Sequence, residues 1–199
     1  MQVKKNYSLK KHNTFCTNTK AKYFASIETT DQLKEILKNY PNEEILVIGD
    51  GSNTLFVNDW DGLVLKIDIK EKEIVEKNKQ SVSIKVAAGE NWDDFVRYTV
   101  KKNWAGIENL VMVPGTVGGA VRGNIACYGH NISDSIISVE VFDMESKEVK
   151  SIKKKECGFL YRDSNFKTKW RDKYIIVSAV FKLNKMVELS DNKLLKTSH

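Results

Sequence analysis

Apolar positions recur along this chain at two periods, and the switching between them sets out the elements. Leu33, Ile36, Leu37 and Tyr40 fall on one face at helical spacing, Thr30 stands where an N-cap belongs, and Pro41 stands where the helix must stop. The unbroken run Ile45–Ile48 comes next and reads as a strand, giving a helix-to-strand unit. Leu55-Phe56-Val57 and Leu63-Val64-Leu65 read as two short strands separated by a turn over 58–62. The lysine-rich stretch 66–80 then reads as a boundary between two lobes.

Beyond it, Val82, Ile84 and Val86 alternate with polar neighbours, the pattern of a half-buried strand, and Gly89 ends the run. Asn91 is placed to cap a helix in which Trp92, Phe95, Val96 and Val100 repeat at helical spacing, so these aromatics are expected in the core. Residues 136–142 and 148–152 flank a turn at 143–147 as a hairpin, and 174–183 adds one more long β-branched strand. After Leu183 the periodicity fades, and 185–199 is expected to be a polar tail. The pattern as a whole is α+β.

Glycine interrupts this pattern at two places. Gly49-Asp50-Gly51-Ser52-Asn53 follows the first strand directly, and PGTVGGAVRGNIACYG from Pro114 to Gly129 holds five of the eleven glycines. Glycine lets backbone approach a ligand and turns amide groups toward an anion. The first loop lacks the Lys-Ser/Thr pair of a P-loop and the spacing of a dinucleotide fingerprint. Together the two loops suggest a large phosphate-bearing ligand.

Composition narrows the alternatives. Lys and Arg exceed Asp and Glu by 32 against 26, but the surplus is spread through mixed segments such as Lys70-Glu71-Lys72-Glu73, so a solvated surface is expected rather than a nucleic-acid partner. No apolar run has signal-peptide or membrane-helix character, which points to a cytoplasmic protein with no membrane partner. Cys16, Cys127 and Cys157 form no CxxC pair, so neither a disulfide framework nor a metal site is expected. His12 reads as exposed and His130 as a marginal site residue; Glu90 and Asn91 read as helix-start residues.

The ordered segments SLKKHNTF, GDGSNTLF, AGENW, GIENL, PGTVGG, NIACYG and YRDSNFK, spread over roughly residues 8–183, resemble the UDP-N-acetylenolpyruvoylglucosamine reductase family, the UDP-N-acetylmuramate dehydrogenases of peptidoglycan precursor synthesis. The resemblance implies a two-lobed FAD-binding fold of the vanillyl-alcohol-oxidase (PCMH) type, with lobes at 1–68 and 69–185 and a tail at 186–199. It implies that Gly49, Gly51, Ser52 and Asn53 hold the FAD diphosphate, and that Pro114, Gly115, Thr116, Gly118, Asn124, Tyr128 and Gly129 line its other side. NADPH is the implied reductant and a UDP-sugar enolpyruvate the implied substrate. The catalytic role falls on Arg162, whose guanidinium would stabilise negative charge developing on the pyruvyl carboxylate, with Asp163 and Ser164 in support.

Family members continue into a substrate-binding domain that brings the proton donor, and no residue here matches that donor. Reduction of the full substrate by this polypeptide alone is therefore expected to be impaired, with a C-terminal domain supplied in trans as the implied remedy. The alternative is a non-catalytic flavin-binding remnant. Cys16 and Leu160 stand where the family has glycine, and each is expected to cost about 1–3 kcal/mol if the strained geometry is kept.

Overall fold

The computed structural model describes residues 2–186. Four strands, β1 (Lys4–Ser8), β2 (Lys20–Ile27), β3 (Ile45–Ile48) and β4 (Trp60–Ile67), form a sheet in the order β1-β2-β4-β3. β1 runs antiparallel to β2, whereas β4 is parallel to both its neighbours. The crossover between β2 and β3 is helix α1 (Thr30–Asn39).

The second sheet is antiparallel. It is built from β5 (Lys72–Lys77), β6 (Ser81–Ala87), β7 (Trp104–Ala105), β10 (Ile136–Asp143), β11 (Val149–Lys153) and β12 (Tyr174–Lys185), and β8 (Ala126–Cys127) with β9 (His130–Asn131) makes a separate small hairpin. Its order is β11-β10-β12-β6-β5, with β7 pairing against the end of β12. Helices α2 (Trp92–Lys101) and α3 (Val117–Arg122) lie in the segment between β6 and β10.

One hydrophobic cluster joins the two sheets. Leu33 and Ile36 of α1, Leu63 and Leu65 of β4, Val82 and Ile84 of β6, Trp92 and Phe95 of α2 and Phe181 of β12 all belong to it. Val64 points the other way, into a smaller cluster with Leu9, Phe24, Ile48 and Phe56. Being covered on both faces explains why β4 reads as a continuous apolar run rather than an alternating one.

Several expectations shift in detail. The cap of α1 is Thr29, whose side chain accepts from Gln32 N, so Thr30 lies inside the helix. Residues 55–57 are not a strand: Phe56 is buried, but Leu55 and Val57 are 56% and 78% exposed and no strand pairs with them. Trp60 to Gly62, expected in a turn, already belong to β4. The stretch 66–80 completes β4 of the first sheet and supplies β5 of the second, an edge strand exposed at every residue. β6 is more than half-buried because it runs between β12 and β5, so Ser81 and Ser83 are buried as well. In α2 the buried position expected for Val100 is taken by Thr99, whose hydroxyl bonds back to Val96 O, while Val100 is 49% exposed. The tail expected over 186–199 lies, apart from Met186, outside the described residues.

The hairpin of β10 and β11 is fixed by one carboxylate. Asp143, 3% exposed, accepts from Lys150 Nζ (2.7 Å) and from the amides of Glu145 (2.8 Å) and Ser146 (3.2 Å). The Lys150 ammonium, aided by these amides, holds its pKa down to about 2. A depressed carboxylate pKa means stability present above the unfolded value, near 4, and lost as pH falls through the folded value. Asp143→Asn is therefore expected to lower the melting temperature at pH 7 and to bring it toward that of the wild type between pH 4 and 2, as thermal melts across that range would record.

Candidate functional site

The first glycine loop links β3 to the buried Phe56. Gly51 has φ +69°, and a Cβ there would sit 1.8 Å from the carbonyl oxygen of His12, so the loop is pressed onto the N-terminal segment at a position only glycine fits. Thr14 secures it from that side, donating its hydroxyl to Ser52 O (3.1 Å) and its amide to Gly51 O (3.4 Å).

The second loop hangs from α2 and the end of β6. The Trp92 indole donates to Leu110 O (2.8 Å) and the Trp92 amide to Gly115 O (2.9 Å). Val117 N donates to Glu90 O and Gly118 N to Ala88 O, and a Cβ at Gly118 would lie 2.9 Å from that of Ala88. Thr116 caps α3 by accepting from Gly119 N. The first amides of α3 are thus all consumed within the protein, so this short helix start is not itself an anion seat.

The two loops touch. Ser52 Oγ donates to Pro114 O (3.2 Å), a Cβ at Gly49 would lie 2.5 Å from Thr116 Oγ1, and one at Gly115, where φ is +121°, would lie 2.7 Å from Ser52 Oγ. Among the described residues, the amides of Gly51, Ser52, Asn53, Gly115 and Thr116 have no protein acceptor. A row of free donors at a junction closed to side chains suits a diphosphate. From this junction a cleft lined by Ile45, Ile48, Ala88, Phe166, Tyr174 and Ile176 runs between the sheets, with Arg122 and Arg171 also on its wall. The lining is mainly apolar with a few charged side chains, the character of a small-molecule cleft.

Asn124, Tyr128, Gly129 and Arg162 meet beside the β8–β9 hairpin. Arg162, exposed and at φ +57°, donates from Nη1 to Ala126 O (3.3 Å). It occupies a tight turn closed by reciprocal bonds between Leu160 and Asp163. Asn124, 2% exposed, ties that turn to the hairpin: Nδ2 donates to Leu160 O (2.7 Å) and Oδ1 accepts from Ser133 N (3.2 Å). Tyr128 and Gly129, at φ +49° and +81°, form the tip of the hairpin, and the Tyr128 side chain is 86% exposed. Ser164, 1% exposed, donates to Arg122 O (2.6 Å) and anchors the end of α3.

His12 and Leu160 behave differently from their reading in the sequence. His12 is half-buried rather than exposed, its ring 4.7 Å from Phe24 and within 3.2 Å of the Tyr7 hydroxyl, and burial together with Lys66 lowers its pKa. Leu160 is not among the residues with positive φ and its side chain is 68% exposed, so the expected strain does not arise there. Cys16 does sit at φ +52°, the conformation glycine favours. His130 is exposed opposite Cys127 in the hairpin that ends the second glycine segment. Asn91 caps α2 and Glu90 pairs with Lys72, as structural residues. Thr14 and Trp92 position the loops and were not singled out for it, because neither carries a local signal of that role.

The FAD binding domain family model matches residues 21–151. The chain belongs to that family. Among curated relatives, this FAD-binding domain is 41% identical over 185 residues to UDP-N-acetylenolpyruvoylglucosamine reductase of Flavobacterium johnsoniae, covering 93% of this chain and 55% of the relative. It is 38% identical over 194 residues to the protein of the same name from Amoebophilus asiaticus, covering 96% and 57%. The chain therefore spans about half the length of the curated relatives it matches. Among solved structures, the Thermus caldophilus reductase superposes with TM-score 0.77 at 24% identity, covering 94% of this chain and 64% of that one. A Physcomitrella patens BBE-like protein superposes at 0.62 with 15% identity, over 92% and 42%. The fold is the α+β FAD-binding fold that these proteins share, of the vanillyl-alcohol-oxidase (PCMH) type.

Proposed function

We propose that this chain is the FAD-holding part of a UDP-N-acetylenolpyruvoylglucosamine reductase, working in the cytoplasm with NADPH as reductant and forming UDP-N-acetylmuramate for peptidoglycan. The observation that carries the reading is the junction at which Ser52 Oγ meets Pro114 O, with free amides on both loops among the described residues and a largely apolar cleft behind. The two lobes, 1–68 and 69–185, each contribute one of those loops.

Gly51, Ser52 and Asn53 hold the diphosphate from one side and Gly115 and Thr116 from the other, while Gly49 and Pro114 bring the two loops together and Gly118 lets the second pack on Ala88. Tyr128 and Gly129 shape the hairpin beside it. Asn124, whose side chain is engaged with Leu160 and Ser133, acts by fixing that hairpin to the Arg162 turn. FAD held there would supply the two-electron redox chemistry between NADPH and the enolpyruvyl double bond. Arg162 offers an always-protonated guanidinium where negative charge develops on the substrate carboxylate. Turnover measured with and without the C-terminal domain of a relative in trans tests whether the proton for the substrate carbon comes from outside these residues.

Loading with FAD, desalting and recording the visible spectrum before and after anaerobic NADPH tests the reading. A retained flavin band that bleaches supports it; colourless, folded protein overturns it. With the C-terminal part supplied, Arg162→Gln is expected to retain flavin and to slow its reoxidation by the enolpyruvyl sugar by a factor on the order of 100. Flavin that is retained but never reoxidised by the sugar under any condition would favour a non-catalytic flavin-binding remnant.

A further inference from the structure

The loop assigned to the anion carries a carboxylate of its own. Asp50 lies between Gly49 and Gly51, and an unpaired negative charge there would oppose a diphosphate approaching the neighbouring amides. Its Oδ1 lies 3.6 Å from Nζ of Lys66, a residue of β4 paired in register with Ile48 and only 15% exposed at its side chain. The ammonium continues to Asp68 (3.0 Å), which also accepts from Ser26 Oγ (3.1 Å) and lies 3.4 Å from Lys70 Nζ. Lys70 in turn donates to the carbonyl of Gly89. Gly89 is flanked by Ala88 and Glu90, the two residues whose carbonyls seat the second glycine loop through Gly118 and Val117.

An alternating row of charges therefore runs from one glycine loop to the support of the other. We infer that Lys66 is a positioning residue for the diphosphate seat: it draws the Asp50 carboxylate off the amides of Gly51, Ser52 and Asn53 and neutralises it. Through Asp68 and Lys70, it also ties the first loop to the second. The inference rests on the proposal that these loops hold the FAD diphosphate. Nothing in the loop motif itself points to Lys66, which lies beyond the turn and is brought back by parallel pairing.

The test is a titration of apoprotein with FAD at low salt, followed by quenching of flavin fluorescence, with inorganic pyrophosphate as competitor. Wild type, Lys66→Met, Asp50→Asn and the double variant are compared, and thermal melts check folding. Lys66→Met is expected to weaken FAD and pyrophosphate by about tenfold, the effect of one uncompensated charge near the anion. Asp50→Asn is expected to bind at least as tightly as wild type, and adding it to Lys66→Met is expected to bring affinity back to within about threefold of wild type. Rescue by removing the carboxylate distinguishes charge neutralisation from simple support of the fold. Unchanged affinity in Lys66→Met, or equal weakening in the single Lys66 variant and the double, overturns the inference while leaving the FAD reading intact. Weakened binding by Asp50→Asn also overturns it, even if Lys66→Met does not fold. Wild-type protein that binds neither FAD nor pyrophosphate overturns the FAD reading and this inference with it.

Discussion

Gly51→Ala is expected to lower FAD affinity by a factor on the order of 100 or more, the largest effect of any single methyl group at this site. Two costs combine. A non-glycine residue at φ +69° costs about 1–2 kcal/mol, and the new Cβ would fall 1.8 Å from the His12 carbonyl oxygen. That carbonyl cannot yield easily, because Asn13 next to it is buried and held by bonds to Leu9 O and from Thr17 N. The glycine loop must move instead, carrying the amides of Ser52 and Asn53 out of line. Gly129→Ala is the control: its φ of +81° is also unfavourable, but a Cβ there meets nothing within 4 Å, so only the conformational cost applies. FAD titration and thermal melts of the two variants separate clash from strain. Equal affinities for Gly51→Ala and wild type would remove this loop as the seat.

Trp92→Ala is expected to destabilise the protein by about 3–5 kcal/mol, enough to unfold much of a marginally stable domain. The ring is fully buried against Phe95 and Phe181, and its indole holds the carbonyl of Leu110, itself buried. Truncation opens a cavity and orphans that carbonyl together. Trp92→Phe keeps most of the packing and removes the hydrogen bond, so a smaller loss of stability is expected, with a disproportionate loss of FAD retention as the segment from Leu110 to Gly115 loosens. Urea unfolding of both variants beside FAD titration of the second gives the comparison. A Trp92→Phe protein as tight for FAD as wild type would mean the indole bond does not hold the loop.

Helices α1 and α2 were legible because their apolar residues repeat at helical spacing, with Thr99 in place of Val100 as the one exchange on the α2 face, and Asn91 announced its helix by side-chain chemistry alone. Two exposed strands were not, although β11, as exposed as β1, was read from its place in a hairpin. β1 and β5 read as KKNYS and KEIVEK, in which charge hides the extended backbone, and only pairing with a neighbour reveals them. Leu55-Phe56-Val57 failed in the opposite direction, being apolar enough for a strand yet left without a partner. At the site, the glycines marked both loops, and the family resemblance picked out Arg162. What the chain could not display was the contact of the two loops, since Ser52 and Pro114 are 62 residues apart and meet only in the folded chain. Lys66 stayed invisible for the same reason.

Cys157 is fully buried and burial pushes its thiol up to about 12, so among the cysteines it is the one set apart from thiolate chemistry.

β12 is the last described strand and nevertheless lies inside the second sheet, between β10 and β6. During synthesis, β6 and β10 must therefore wait, each with an open edge, until Tyr174–Lys185 has emerged to join them. Until then Val82, Ile84 and Val139 lack the β12 residues they cluster with, and the support for the second glycine loop is unfinished. The order in which the ribosome delivers the chain thus makes closure of the nucleotide cleft a late event in the life of the nascent protein, and truncation ahead of residue 174 turns two paired edges into sites for aggregation.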